Sequence, residues 1–149
     1  MNMGRIAHLV RRAVGSMSNA RPSAEASRRV AAILGEGEFT LWRGMQGRDQ
    51  RHSIQVLSRF DERCPEATRD ERAAALLHDV GKVRANLGWT LRIVATIVGP
   101  CGRRFADHHA HEWIGAEMLG ETSSRRTIEL VSGWCADPVA EALRAADDV

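Results

Sequence analysis

The apolar residues of this chain recur at intervals of three and four positions, which is the spacing of one face of an α-helix. Segment 48–60 shows this pattern clearly, because Val56, Leu57 and Phe60 share one helical face. No segment alternates apolar and polar residues in the way that a half-buried strand does. The pattern therefore predicts an all-α fold without a sheet.

Turn residues and helix caps divide the chain into a series of predicted helices. We place helices at about 6–14, 23–34, 36–45, 48–60, 68–79, 89–98, 122–134 and 138–147. The last of these has clear start signals, because Asp137 suits an N-cap and Pro138 suits the first helical position. Residues 1–35 are expected to form an N-terminal helical extension to a main domain at 36–149.

The segment from Ala73 to Lys82 has a distinctive pattern. It starts with small and apolar residues that favour a helix, and a helix that is apolar all round is usually buried. We expect His78 and Asp79 in its last turn, because Gly81 readily takes the left-handed conformation that follows a helix. A buried carboxylate is costly without a compensating charge, which leaves two candidates: a protein cation such as an arginine, or a metal ion.

The composition is that of a soluble globular protein. The 149 residues suffice for one domain with its own core, and 44% of them are apolar and 27% charged. No run approaches the ~20 apolar residues of a membrane span, and the N-terminal pattern is not that of a signal peptide. We therefore expect a cytoplasmic protein with no membrane partner. The three cysteines have neither disulfide-framework nor zinc-knuckle spacing.

The charge distribution adds one candidate residue. A net charge of +2 is too small to argue for a nucleic-acid partner, although residues 1–35 carry six Arg and one Glu. That basic segment suits either a phosphate-rich partner or a solvated face. Of the 21 basic residues only Lys82 is a lysine. An ammonium and a guanidinium are not interchangeable in a tight site, so Lys82 is a candidate functional residue, with chance as the alternative.

The sequence His78-Asp79-Val80-Gly81-Lys82 resembles the signature of the HD-domain superfamily, which is named for that His-Asp pair. Members of the superfamily are all-α metal-dependent phosphohydrolases and degenerate relatives of these enzymes. The resemblance covers roughly residues 36–149, so it implies one HD-like metal-binding domain after the N-terminal extension.

The resemblance implies a set of metal ligands on three helices. The superfamily has a first ligand His on the helix before the His-Asp helix, where His52 is the available histidine; the alternative for His52 is a core-edge histidine. Its final ligand is an Asp on the last core helix, and Asp147 borders the apolar face there while Asp148 points away. The implied ligands of one divalent ion are His52, His78, Asp79 and Asp147.

The remaining roles also follow from the resemblance. His111, four residues before Gly115, matches a pattern in which a histidine enters the site. It joins Asp79 and Lys82 of the His-Asp segment as a candidate catalytic residue. Lys82 and Arg48 are candidate contacts to a substrate phosphate. The donor types suit Mn, Fe, Co, Ni, Zn or Mg. Residues 132–136 contain no histidine where many relatives have one, which argues against a second metal.

These expectations together predict a metal-dependent phosphohydrolase acting on a small phosphate ester, such as a nucleotide. The alternative is a non-catalytic HD-like module that binds a metal or a nucleotide, or serves as an interaction domain. The expected partner is a small phosphorylated substrate, and formation of a homo-oligomer is left open.

Overall fold

The computed structural model describes residues 18–82 and 116–148. Within these ranges the regular elements are all helices and no strand occurs, which confirms the predicted all-α fold. The predicted helices near 6–14 and 89–98 lie outside the described residues, and residues 116–119 are also helical. The helices are α1 (Ala24–Ile33), α2 (Glu36–Gly44), α3 (Gly47–Arg63), α4 (Arg69–Leu77), α5 (Arg125–Val131) and α6 (Pro138–Asp147).

Helix α4 lies at the centre of the described fold. Helices α1, α2, α3 and α5 pack against it, and α6 packs on α3. The five residues from Ala73 to Leu77 are each 0% exposed. Three of these are alanines, whose small side chains let the neighbouring helices approach closely. The predicted buried helix is thus confirmed, and His78 follows its last residue at the edge of the core.

Side-chain caps set the start of several helices. The Thr68 hydroxyl accepts the Glu71 backbone N–H at 3.4 Å, and the Glu71 carboxylate accepts the Thr68 N–H at 2.9 Å, which is a capping box at the start of α4. Asp137 accepts the Ala140 N–H at 2.9 Å and begins α6 as predicted. Helix α5 is shorter than the predicted 122–134, because Ser124 caps its start and Gly133 follows it with a left-handed φ of 71°.

Helix α4 ends differently from the expectation. Leu77 is its last residue, and 78–81 form turns. The Val80 N–H donates to the Leu77 carbonyl at 2.9 Å, and the Lys82 N–H donates to the Asp79 carbonyl at 3.0 Å. This three-residue spacing is that of tight 3₁₀-like turns, which satisfy carbonyls at a helix end without a left-handed residue. Gly81 is accordingly not left-handed, since Gly133 alone has a positive φ in the described ranges.

Helix α1 shares the core of the later helices. Val30 and Leu34 are 2% and 6% exposed and belong to the same buried cluster as Trp42. Arg69 at the start of α4 donates to the Ile33 carbonyl at 2.8 Å and forms an ion pair with the buried carboxylate of Glu38. The predicted boundary between an N-terminal extension and a main domain at residue 35 stays a prediction. Helix α1 lies before this boundary and packs on α4, which α3 and α5 also contact.

A second ion-pair network holds the start of α6. The Arg126 guanidinium on α5 donates to Glu71 at 2.9 Å and to Asp137 at 2.6 Å. The hydrogen bond from Arg126 holds the pKa of the Asp137 carboxyl below its usual range. Arg126 therefore connects the starts of α4 and α6, and this contact helps to fix the direction in which α6 runs.

Two other sequence expectations bear on the described residues. Cys64 and Cys135 are free thiols, whereas Cys101 lies outside the described ranges. No helix within residues 18–82 and 116–148 combines the length and the apolar character that crossing a membrane requires.

Candidate metal centre

Three separate parts of the chain bring four titratable side chains together beyond the end of α4. His52 lies on α3, His78 and Asp79 follow α4, and Asp147 is the last residue of α6. The His52 Nε2 atom is 2.8 Å from Asp147 Oδ1, and His78 Nε2 is 3.3 Å from the same oxygen. His78 Nε2 is also 3.5 Å from Asp79 Oδ2. We call these four residues the His/Asp cluster.

The donor atoms of three members of the His/Asp cluster are close enough to share one ion. Ligand atoms of His52, His78 and Asp79 all lie within 4.8 Å of one another. The two imidazole rings meet edge to face, with centroids 5.5 Å apart. With metal–ligand bonds of about 2.0–2.6 Å, two ligands of one ion cannot be more than about 5 Å apart. The structure thus brings together the four residues that the resemblance to HD domains implies as metal ligands.

A backbone carbonyl fixes the orientation of the His78 ring on the side away from the cluster. Its Nδ1 lies 2.8 Å from the Ala75 carbonyl oxygen, and since a carbonyl only accepts, Nδ1–H is the donor. In the neutral ring this leaves the Nε2 lone pair facing the cluster. Within the described residues the buried Nε2 makes no well-formed hydrogen bond, although Asp147 Oδ1 lies 3.3 Å away. Metal-binding histidines typically have this arrangement, with the second nitrogen held by a carbonyl, so the residues fit a metal.

The charges of the cluster favour a cation. Burial lowers the pKa of His78, but the adjacent Asp147 and the charge of Asp79 outweigh burial, and the net pKa is raised. The hydrogen bond from His52, followed by the effect of His78, holds the pKa of Asp147 well below its usual range. Asp147 is therefore an anion at neutral pH, and it attracts either a proton onto the imidazoles or a metal ion in place of that proton.

Lys82 supplies a protein cation for the buried carboxylate. Its Nζ donates to Asp79 Oδ2 at 2.6 Å, across a spacing of three residues. The Asp79 side chain is only 13% exposed, whereas Lys82 is 43% exposed. Within residues 18–82 and 116–148, the side chain of Asp79 thus forms its ion pair with a lysine and not with an arginine. The predicted contact of Lys82 with a substrate phosphate stays a prediction.

Two further candidates are not brought to the cluster by any described contact. Arg48 lies one turn before His52 on α3, is 54% exposed, and has its Nε 3.4 Å from the Asp49 carboxylate. Among residues 18–82 and 116–148, no ion pair joins Arg48 to the His/Asp cluster. His111 lies outside the described residues, so its catalytic role stays a prediction.

A buried network orients α3, and the sequence reasoning missed it. The Trp42 indole N–H donates to the Ser53 hydroxyl at 2.9 Å, and that hydroxyl donates to the Gln50 carbonyl at 2.8 Å. The Gln50 amide in turn donates to the carbonyls of Trp42 and Arg43, which lie in the last turn of α2. Because Gln50 and Ser53 flank His52, these bonds fix the face of α3 from which His52 projects.

Arg59 is a second missed residue. Its Nη1 donates to the Ala146 carbonyl at 3.1 Å, next to Asp147 at the end of α6. A cation that binds the last carbonyls of a helix stabilises that end. The signal was present in the sequence, since a spacing of seven residues places Arg59 on the same stripe of α3 as His52. Arg59 is thus a positioning residue for Asp147.

Arg59→Ala is expected to weaken divalent metal binding on the order of 10-fold, the effect typical of residues that position a ligand. Without the guanidinium, the final turn of α6 loses one of its contacts with α3, and Asp147 becomes less well held. Calorimetric titration with Mn²⁺ measures the change in Kd. Arg63→Ala is the control, since within the described residues Arg63 donates to the Arg59 carbonyl and not to α6. Equal effects of the two substitutions would contradict this role.

An open groove in another part of the structure is not assigned to the site. It has a volume of about 650 Å³ and is lined by residues from 116 to 134, including Ile128, Glu129 and Trp134. None of its lining residues belongs to the His/Asp cluster. The chemistry of the chain is therefore argued from the cluster and not from the groove.

Comparison of the chain with protein-family models, curated proteins and solved structures finds no match. The resemblance to HD domains therefore rests on the residues quoted for it. The geometry of the His/Asp cluster is an independent observation, because it comes from the folded chain and not from the motif.

Proposed function

We propose that this chain is a metal-dependent phosphohydrolase with an HD-like metal centre, acting on a small phosphate ester. The observation that carries the proposal is the buried Nε2 of His78, which makes no well-formed hydrogen bond within the described residues and lies beside Asp79 and Asp147. A buried nitrogen without a partner is costly, and native proteins keep such a group mainly where it has a function.

The donor set supports one divalent ion. Two imidazole nitrogens and two carboxylate oxygens suit a borderline or hard ion, such as Mn, Fe, Co, Ni, Zn or Mg. The ligands would be His52, His78, Asp79 and Asp147. The chemistry that such an ion supplies is polarisation of a phosphoryl group and a lower pKa of bound water.

The chain's own residues would bind and orient the substrate and handle protons. The Ala75 carbonyl holds the His78 ring in place through Nδ1, whereas Asp147 contacts the His52 Nε2 atom itself at 2.8 Å and would orient that ring only until a metal ion replaces the proton between them. Asp79 is the carboxylate assigned to accept a proton from the attacking water. Lys82 neutralises phosphate oxygens in this proposal, Arg48 is a second phosphate contact, and His111 donates a proton to the leaving group.

The second candidate is a non-catalytic module that binds a metal or a nucleotide. One observation favours it: the Lys82 ammonium already compensates the charge of Asp79 in the described structure. The lack of a histidine in residues 132–136 also favours the non-catalytic module, since it argues against a second metal. A module that binds a metal would share the metal centre with the enzyme and differ from it in turnover.

One experiment tests the proposal and separates it from the alternative. The protein is purified without chelator or histidine tag, its metal content is measured, and phosphate release is screened on phosphate monoesters and nucleotides. We expect about one divalent ion per chain, and phosphate release that ceases after chelation and returns when metal is added. Metal binding without phosphate release from any compound would favour the non-catalytic module. Protein that binds no divalent ion would contradict the metal centre itself.

A further inference from the structure

Lys82 is the only lysine of the chain, and its ammonium contacts an oxygen of a proposed metal ligand. We propose that Lys82 competes with the divalent ion for Asp79, so that metal binding displaces the ammonium from the carboxylate. This inference rests on the proposed metal centre and adds a regulatory role for a residue of this chain. It predicts that Lys82 weakens metal binding.

The ammonium of Lys82 and the proposed divalent ion would share one oxygen of Asp79. Oδ2 is the oxygen that Lys82 Nζ contacts at 2.6 Å, and it is also the oxygen that lies 3.5 Å from His78 Nε2. An ion bound to this oxygen at about 2.0–2.6 Å would be no farther than about 5 Å from the ammonium, if the ammonium stayed in place. Like charges at that separation repel each other strongly.

The exposure of the two partners indicates which of them moves. Asp79 is 13% exposed and is held next to the buried end of α4, whereas Lys82 is 43% exposed. A lysine side chain has four flexible methylene groups and a well-hydrated ammonium, so it leaves an ion pair for water at low cost. Metal binding therefore releases Lys82 into the mouth of the site, where its charge becomes available to an anionic ligand.

The test compares Mn²⁺ affinities by isothermal titration calorimetry. Lys82→Met is expected to bind Mn²⁺ on the order of 10-fold more tightly than the unmodified protein, because the competing charge and its repulsion are gone. Lys82→Arg retains the positive charge, so its Mn²⁺ affinity should stay close to that of the unmodified protein. Arg29→Met is the matched control, since it removes one positive charge from an exposed ion pair with Glu25 on α1 and should leave the affinity unchanged.

Thermal unfolding gives a second measurement on the same proteins. Without metal, Lys82→Met removes the ammonium that contacts Asp79 at 2.6 Å and should lower Tm, so the rise in Tm on adding Mn²⁺ should be larger than for the unmodified protein. Lys82→Gln provides the same comparison if the methionine variant does not fold.

The outcomes separate this inference from the proposed function. Equal or weaker Mn²⁺ affinity in Lys82→Met and Lys82→Gln would overturn the competition while leaving the metal centre in place. Absence of Mn²⁺ binding in every protein, including the unmodified one, would overturn the metal centre and the competition with it.

Discussion

His78→Ala is expected to abolish Mn²⁺ binding, with a loss of affinity of at least about 100-fold. The substitution removes the Nε2 donor that faces both carboxylates, and it also removes the Nδ1–H bond to Ala75 that orients the ring. Within the described residues, the group whose ligand atoms lie within 4.8 Å of one another contains only His52 and Asp79 besides His78. Isothermal titration calorimetry and metal analysis of the purified variant measure the effect.

The same variant should also lose the stabilisation that the metal provides. A ligand at about 100 times its Kd adds roughly 2.7 kcal/mol to the free energy of unfolding. We therefore expect Mn²⁺ to raise the Tm of the unmodified protein and to leave the Tm of His78→Ala unchanged.

Leu76→Ala is the control that separates loss of the ligand from damage to the fold. Leu76 is 0% exposed in α4, and its truncation should cost about 2–5 kcal/mol of stability. Its Mn²⁺ affinity, measured below its own Tm, should stay near that of the unmodified protein. A Kd for His78→Ala within about threefold of the unmodified protein would place the metal elsewhere, since loss of a ligand has a far larger effect.

Asp147→Asn is expected to weaken Mn²⁺ binding by about 10-fold or more, whereas Asp148→Asn should be close to neutral. Asp147 Oδ1 lies 2.8 Å from His52 Nε2 and 3.3 Å from His78 Nε2. Asparagine has the same shape but lacks the negative charge that the cluster offers to a cation. Asp148 follows the last residue of α6, is exposed, and contributes no ion pair to the cluster within the described residues.

Calorimetric titration of both asparagine variants decides between the two carboxylates. A damaging effect of Asp148→Asn alone would show that α6 has a different register in solution. If neither substitution changes the Kd, the metal has three protein ligands, and the contact of Asp147 with His52 serves only to orient that ring.

The features that the sequence predicted well have local physical causes. The starts of α1 and α6 depend on side chains that cap their own helix, Ser23 and Asp137, so a short stretch of sequence contains the whole signal. The burial of α4 follows from its apolar composition on every face. Once the resemblance implies an aspartate ligand on the last helix, the choice of Asp147 over Asp148 follows from 100° of rotation per residue, and the structure turns Asp147 toward His52.

The features that the sequence did not reveal depend on contacts between distant residues. Arg59 binds the Ala146 carbonyl across 87 positions, and Trp42 meets Ser53 from a different helix. The predicted end of α4 was wrong for another reason. Tight turns satisfy the carbonyls at the end of this helix, so the left-handed glycine that commonly follows a helix is not needed. His52 and Asp147 were selected through the resemblance to HD domains, because helical spacing alone left His52 as a core-edge residue.

The buried bonds among Trp42, Gln50 and Ser53 also limit how the chain length can vary. Helices α2 and α3 are joined by only two residues, Met45 and Gln46, and Met45 is 2% exposed. One residue inserted into this connection would rotate α3 by about 100° relative to α2, unless the network broke to absorb the change. Surface loops usually tolerate insertions, but this connection would not, because the rotation would carry His52 away from Asp147.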